Sequence, residues 1–208
     1  MKLLSAVLSK RILTRIIGKN GIEEQFGSQP GRGCREALFT IRQALQVRRY
    51  HNLPTWVLFV DLIKAFDTVN HPLLMALLEK YGAPKKMVDV IKRLYTDSKL
   101  QLTIGKEKES IPYTVGVKQG DNMAPVLFLF LMQAMAETLE AEWILHNIET
   151  PEYRYHKETK VIKGRLCGQD PKAKGVTFSL FKILYVDDGA FMFTSKNDMV
   201  RGADIIKK

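Results

Sequence analysis

Two apolar runs meet at a pair of acids in Phe178-Ser179-Leu180-Phe181-Lys182-Ile183-Leu184-Tyr185-Val186-Asp187-Asp188-Gly189-Ala190-Phe191-Met192-Phe193-Thr194. Residues 178–186 and 190–194 have the composition of strands, and Asp187-Asp188-Gly189 between them has the chemistry of a turn. The segment therefore reads as a β-hairpin with acids at its tip. Adjacent carboxylates repel, and a carboxylate at the end of an apolar strand needs a cation, a metal or water. A second strand of the same kind, Trp56-Val57-Leu58-Phe59-Val60-Asp61, also ends in an acid. Magnesium is the natural hard cation for oxygen ligands and phosphates. Two such ions about 3.5–4 Å apart can activate an attacking oxygen and stabilise a leaving one.

Around these strands the chain alternates helical and extended patterns. Apolar spacing predicts helices over 3–18 and 35–49, a helix from Pro72 to Tyr81 capped by Asn70 and stopped by Gly82, and another opening at Pro84. Residues 100–104 and 111–117 read as a hairpin joined across 106–109, and a long helix starts near Pro125 and runs to about Leu145. Residues 146–176, with Pro151, Gly164, Gly168, Pro171 and Gly175, read as a loop or insertion, and Asn197 as the cap of a last helix. The expected fold class is α+β, with a mostly antiparallel sheet packed on helices.

The 208 residues carry 32 Lys and Arg against 22 Asp and Glu, a net charge of +10. The excess is uneven: +7 over residues 1–50, −2 over 51–150 and +5 over 151–208. Basic flanks attract polyanions through phosphate neutralisation and counterion release. An acidic middle inside them suits a metal-using enzyme that acts on nucleic acid. Two cysteines, Cys34 and Cys167, cannot build a disulfide scaffold or a four-cysteine zinc site, so a reducing compartment is expected. The four histidines lack metal-ligand spacing and there is no phosphate-binding Gly-x-x-x-x-Gly-Lys-[Ser/Thr] loop, which argues against a zinc nuclease and a P-loop ATPase. Lys10 and Arg11 interrupt the leading apolar run, which reads as one face of an amphipathic helix, and the run 126–132 is too short to span a bilayer.

Four motifs in order resemble those of reverse transcriptases, specifically those of non-LTR (LINE-like) retrotransposons, across about residues 10–208. Glu24-Gln25-Phe26-Gly27 through Pro30-Gly31-Arg32 is similar to the fingers motif, and residues 59–67 to the first palm motif. Gly116-Val117-Lys118-Gln119-Gly120, followed by Ala124-Pro125-Val126-Leu127-Phe128, resembles the Gly-x-x-Gln-Gly motif leading into the palm helix, and Tyr185-Val186-Asp187-Asp188 the hairpin signature. The resemblance implies the fingers and palm of a right-hand polymerase, without the thumb: a fingers-like segment over 1–55, and a palm over 56–208 with inserted helical and hairpin fingers elements and the 146–176 insertion. It implies RNA-directed DNA polymerase activity, a nucleotidyl transfer from dNTP to a primer 3′-hydroxyl. An RNA template, a DNA primer and dNTPs are the implied partners, with two Mg2+ ions, or Mn2+, as cofactors. No membrane partner is expected. The expected location is the nucleus or the cytoplasm.

Carried over residue by residue, Asp61 and Asp187 would bind both metals and Asp188 would support the site. Phe66 would exclude a ribose 2′-hydroxyl, which also argues against an RNA-templated RNA polymerase. Gln119 and Gly120 would lie beside the incoming nucleotide and template. The chain departs from the family at Ser28 and Gln29, where relatives carry Phe-Arg, leaving Arg32 or Arg35 as the cation for the triphosphate. It departs again at Asp121-Asn122-Met123. Asp67 reads as a turn-former and Lys64 as a surface residue. Lys157, Lys160, Lys163, Arg165, Lys172 and Lys174 are either phosphate contacts or a solvated loop. The alternative function is a catalytically inactive nucleic-acid-binding fragment or domesticated relic of such an enzyme.

Overall fold

The structure is a computed structural model that describes residues 2–17, 21–96, 98–118, 120–155, 159–162, 165–169 and 175–207. In chain order it contains α1 (Lys2–Ile12), continued by a π-helical turn (Leu13–Ile17), then α2 (Cys34–Tyr50), β1 (Trp56–Val60), α3 (His71–Lys80), α4 (Lys85–Thr96), β2 (Lys99–Ile104), β3 (Glu107–Pro112) and α5 (Ala124–Leu145). After these come β4 (Glu152–Tyr155), β5 (Thr159–Ile162), β6 (Arg165–Gln169), β7 (Val176–Ser179), β8 (Lys182–Tyr185), β9 (Asp188–Phe193) and α6 (Lys196–Ile206).

The central sheet is antiparallel in the order β1–β9–β8. Trp56 pairs with Phe193 and Val60 with Gly189, while Lys182 pairs with Phe191 and Tyr185 with Asp188. Strand alternation then sorts the side chains onto two faces. Leu58, Val60, Leu184, Phe191 and Phe193 belong to the large core shared with α3, α4 and α5. Val57, Ile183 and Met192 belong to a smaller core with Ala37 and Ala44 of α2. Trp143 of α5 anchors the first face, its ring within 5.1–5.5 Å of Phe181, Phe191 and Phe193. Each such buried ring contributes about 1.5–3 kcal/mol. By length and composition α5 could cross a bilayer, but here it is the core helix, with Leu127, Phe128, Phe130, Met132 and Trp143 buried.

Several elements form where local chemistry predicts. Asn70 caps α3 by accepting the Leu73 amide at 2.9 Å, and Gly82 follows it with φ +85°. α4 buries Val88 and Ile91 at helical spacing, with Tyr95 completing the stripe.

Other elements differ from the expectation. Residues 152–155, inside the expected 146–176 loop or insertion, form a strand paired with 176–179, and β5 pairs with β6 between them. Tyr153 is buried and stacks on Phe178 at 5.7 Å, giving that ladder an apolar anchor. Residues 176–179 thus leave the central hairpin. The β2–β3 hairpin turns at Gly105-Lys106, so Glu107 to Glu109 lie inside β3 rather than in the connection. Ser195, not Asn197, caps α6, with its Oγ accepting from the Asp198 amide at 3.0 Å. The side chains of Lys157, Lys160, Lys163, Arg165, Lys172 and Lys174 lie outside what the structure describes.

Candidate active site

The acids sit where β1 and the β8–β9 hairpin come together. β8 ends at Tyr185 and β9 begins at Asp188, so the turn is Val186-Asp187 and not Asp187-Asp188-Gly189. Pairing of Gly189 with Val60 draws Asp188 and Gly189 into the strand. Asp61 follows β1 directly, one residue past the last paired position, Val60. Asp61 and Asp188 line one groove with Tyr185, Phe59 and the first turns of α2, at Cys34, Ala37 and Leu38. Both acids are exposed, and so is Phe59, at 72%. Asp187, half-exposed, occupies the adjoining turn and is not part of the groove lining.

Two carboxylates lining one groove are hard oxygen donors, and a divalent cation between them would relieve their repulsion. The Asp61–Asp188 pair fits such an ion. Among the described residues no group of three or more His, Cys, Asp or Glu side chains gathers tightly enough to hold a metal by itself.

Phe66 lies on the loop after Asp61, half-buried, with its ring stacked on Phe128 at 4.6 Å. Its carbonyl accepts the Val117 amide at 2.8 Å, and the Val69 carbonyl accepts the Gly116 amide at 2.8 Å. His71 Nε2 closes the same junction on the Gly116 carbonyl at 2.7 Å. The Phe66 loop and the Gly116-Val117-Lys118 segment are thus one hydrogen-bonded unit. Gly120 ends that segment with φ +79° and open space where a side chain would stand. Gln119 lies outside the described residues. Asp121, an unexplained acid in the sequence, accepts from the Met123 amide at 3.3 Å at the entry to α5. The phenol of Tyr95 is pushed up by burial and further by Asp121. Asp67 and Lys64 share a turn in which the Asp67 amide donates to the Lys64 carbonyl at 2.9 Å.

Arg32 is exposed and engaged with its own loop, donating to the Glu23 carbonyl and standing 5.9 Å from the Phe26 ring. The loop itself grips the β8–β9 hairpin. The Phe26 amide donates to Leu184 at 2.8 Å and the Leu184 amide to Glu24 at 2.9 Å, a parallel bridge on the free edge of β8. Gln25, only 2% exposed, accepts the Val186 amide on Oε1 at 3.0 Å and donates from Nε2 to the Val186 carbonyl at 3.4 Å. Its Oε1 also accepts the Gly27 amide at 2.8 Å. Val186 has φ +57°, a region that costs a β-branched residue about 1–3 kcal/mol. No local pattern in the sequence marks Gln25 as a partner of the hairpin, because Val186 reads there as strand and the turn as Asp187-Asp188-Gly189.

A family model described as reverse transcriptase (RNA-dependent DNA polymerase) matches residues 1–208. The chain belongs to this family. The resemblance to non-LTR retrotransposon enzymes holds as well. The chain is 31% identical over 140 residues to the retrovirus-related Pol polyprotein from type-2 retrotransposable element R2DM of Drosophila melanogaster, covering 67% of this chain and 13% of that protein. It is 30% identical over 106 residues to the Pol polyprotein from type-1 retrotransposable element R2 of Popillia japonica, covering 50% and 18%. In three dimensions this reverse transcriptase chain is similar to telomerase from Candida albicans, solved in complex with a TWJ fragment of telomeric RNA. That match has a TM-score of 0.58 at 12% identity and covers 100% of this chain and 32% of that one. The likeness identifies the α+β fold of a polymerase fingers and palm. The chain spans less than a fifth of these two curated relatives.

Proposed function

We propose that this chain is the fingers–palm core of an RNA-directed DNA polymerase that adds dNTPs to a DNA primer paired with an RNA template. In the reaction a primer 3′-oxygen attacks the α-phosphate of the dNTP, a new phosphodiester forms, and the bond to the departing pyrophosphate breaks. The single observation that supports this reading is that Asp61, just past β1, and Asp188, at the start of β9, line one groove. Asp61, Asp187 and Asp188 would hold Mg2+, or Mn2+. Bound divalent ions supply Lewis-acid activation of the attacking oxygen and neutralise charge on the phosphates. The chain's own residues position the reactants. Phe66 limits the space at the sugar 2′ position, Gln119 and Gly120 flank the nucleotide, and Arg32 is the cation for the triphosphate. In this reading residues 1–55 act as the fingers-like segment and 56–208 as the palm, and the basic flanks hold nucleic-acid backbone.

The test is primer extension on an RNA template with dNTPs and magnesium, comparing the parent chain with Asp187→Ala. Extension by the parent alone is expected. Extension by neither, with nucleic-acid binding retained, would replace this reading with that of an inactive binding relic.

A further inference from the structure

We propose that Gln25 is a positioning residue that sets the conformation of the Val186-Asp187 turn and, through it, the placement of Asp187 and Asp188. The proposal rests on the polymerase reading for its catalytic consequence, and on geometry alone for the clamp. A buried primary amide reaches across 161 positions of sequence and binds both backbone groups of one residue, Val186. That residue has the positive φ that admits the tight turn. A valine left to itself prefers extended backbone, so the turn is held from outside. Gly27 completes the device. A Cβ at position 27 would stand 2.4 Å from both Val186 N and Val186 Cγ2, so only glycine lets the loop close on the turn. The bridge between Gln25 and Leu184 fixes the loop on the edge of β8, so the amide is delivered at a set register. Val186 is flanked directly by Tyr185 and Asp187, and a change in its backbone re-aims the acid that follows.

The charge at position 25 is also constrained. A carboxylate there could accept from both amides but could not donate to the Val186 carbonyl, and it would set buried negative charge beside two aspartates. An amide alone satisfies every group it meets.

The experiment compares the parent chain, Gln25→Met, Val186→Gly and the Gln25→Met/Val186→Gly double variant. Methionine keeps length and apolar volume and removes the hydrogen bonds. Amide hydrogen exchange is read at Val186, with Phe191 and Met192 as reporters of the intact sheet. Mn2+ affinity and single-nucleotide kinetics are read on the same preparations. In Gln25→Met, exchange at Val186 is expected to quicken by at least about tenfold while the sheet reporters hold. Mn2+ affinity is expected to fall, and kcat to drop by about 10²-fold with the dNTP KM little changed, as for a misplaced reacting group. Glycine at 186 adopts positive φ without support, so the double variant should recover much of the lost kcat and Mn2+ affinity. A residue that merely stabilised the fold would not be rescued in this way. Unchanged exchange at Val186, unchanged metal affinity, or no recovery in the double variant would each overturn the proposal. If the parent does not extend a primer, the polymerase reading fails, and the exchange and Mn2+ arms still decide the clamp.

Discussion

Phe66 is stacked on Phe128 of α5, with ring centroids 4.6 Å apart and planes 23° apart. The ring is therefore both a wall of the proposed sugar pocket and part of the packing that seats the loop after Asp61. Phe66→Ala should admit ribonucleotides, read as a fall in dNTP-over-rNTP selectivity in single-nucleotide addition. It should also lower stability by about 2 kcal/mol in urea unfolding, less than for a fully buried ring because Phe66 is only half-buried. Selectivity equal to that of the parent would remove Phe66 from the site.

Gly116 holds the Gly116–Gly120 motif against that same loop. It has φ +88°, and a Cβ there would stand 2.9 Å from both the Asp67 carbonyl oxygen and the Tyr113 hydroxyl. Gly116→Ala should cost about 2 kcal/mol, from positive φ and the crowding together. It should raise the dNTP KM by displacing the segment that carries Gln119 and Gly120. Thermal melting and steady-state kinetics check both effects.

Much of this site was legible in the sequence, for reasons that are local. β1 is an unbroken apolar run that ends at its acid, and Asn70 with Pro72 marks the start of α3. The hairpin tip was not legible. Asp187-Asp188-Gly189 has better turn chemistry than Val186-Asp187, but the ladder to β1 and the amide of Gln25 override it. Both of those partners lie more than 120 residues away, beyond any local pattern. The β4–β7 ladder was hidden for the same reason. Its strands are four residues each and are separated by a long polar stretch, so only their pairing identifies them.

Lys182 of β8 is buried, and its ammonium meets Glu140 of α5 at 2.6 Å. Glu140→Ala leaves that charge without its carboxylate and should cost about 2 kcal/mol, moderated by the solvent exposure of Glu140. Lys182→Met should be near neutral or stabilising, because it removes the desolvated charge itself. Chemical unfolding of the two variants separates these outcomes.

Tyr81 of α3 donates to Glu137 of α5 at 2.7 Å, and Gln133 Nε2 donates to the other carboxylate oxygen at 3.0 Å. Burial pushes the Glu137 carboxyl up, but these hydrogen bonds and the Lys80 charge outweigh it and hold it below the ordinary value. A lowered folded pKa gives stability that is present above the unfolded pKa and is lost as pH falls through the folded one. Glu137→Gln should therefore lower stability at neutral pH, and the difference from the parent should close under acid conditions. Glu137 is partly exposed, so solvent screening limits the effect to about 1 kcal/mol or less. Urea midpoints at neutral pH and below the ordinary carboxylate range check the sign.

Asp61 and Asp188 line one groove and are expected to act together in nucleotidyl transfer. The most direct measurement is single-nucleotide incorporation on a primed RNA template in magnesium by the parent chain, Asp61→Asn, Asp188→Asn and the double variant. Groups that work as one unit give non-additive losses. The parent is expected to incorporate, each single variant to lose about 10²–10³-fold in rate, and the double variant to be little worse than either. Incorporation by either single variant at the parent's rate, or strictly multiplicative losses in the double variant, would contradict their joint action.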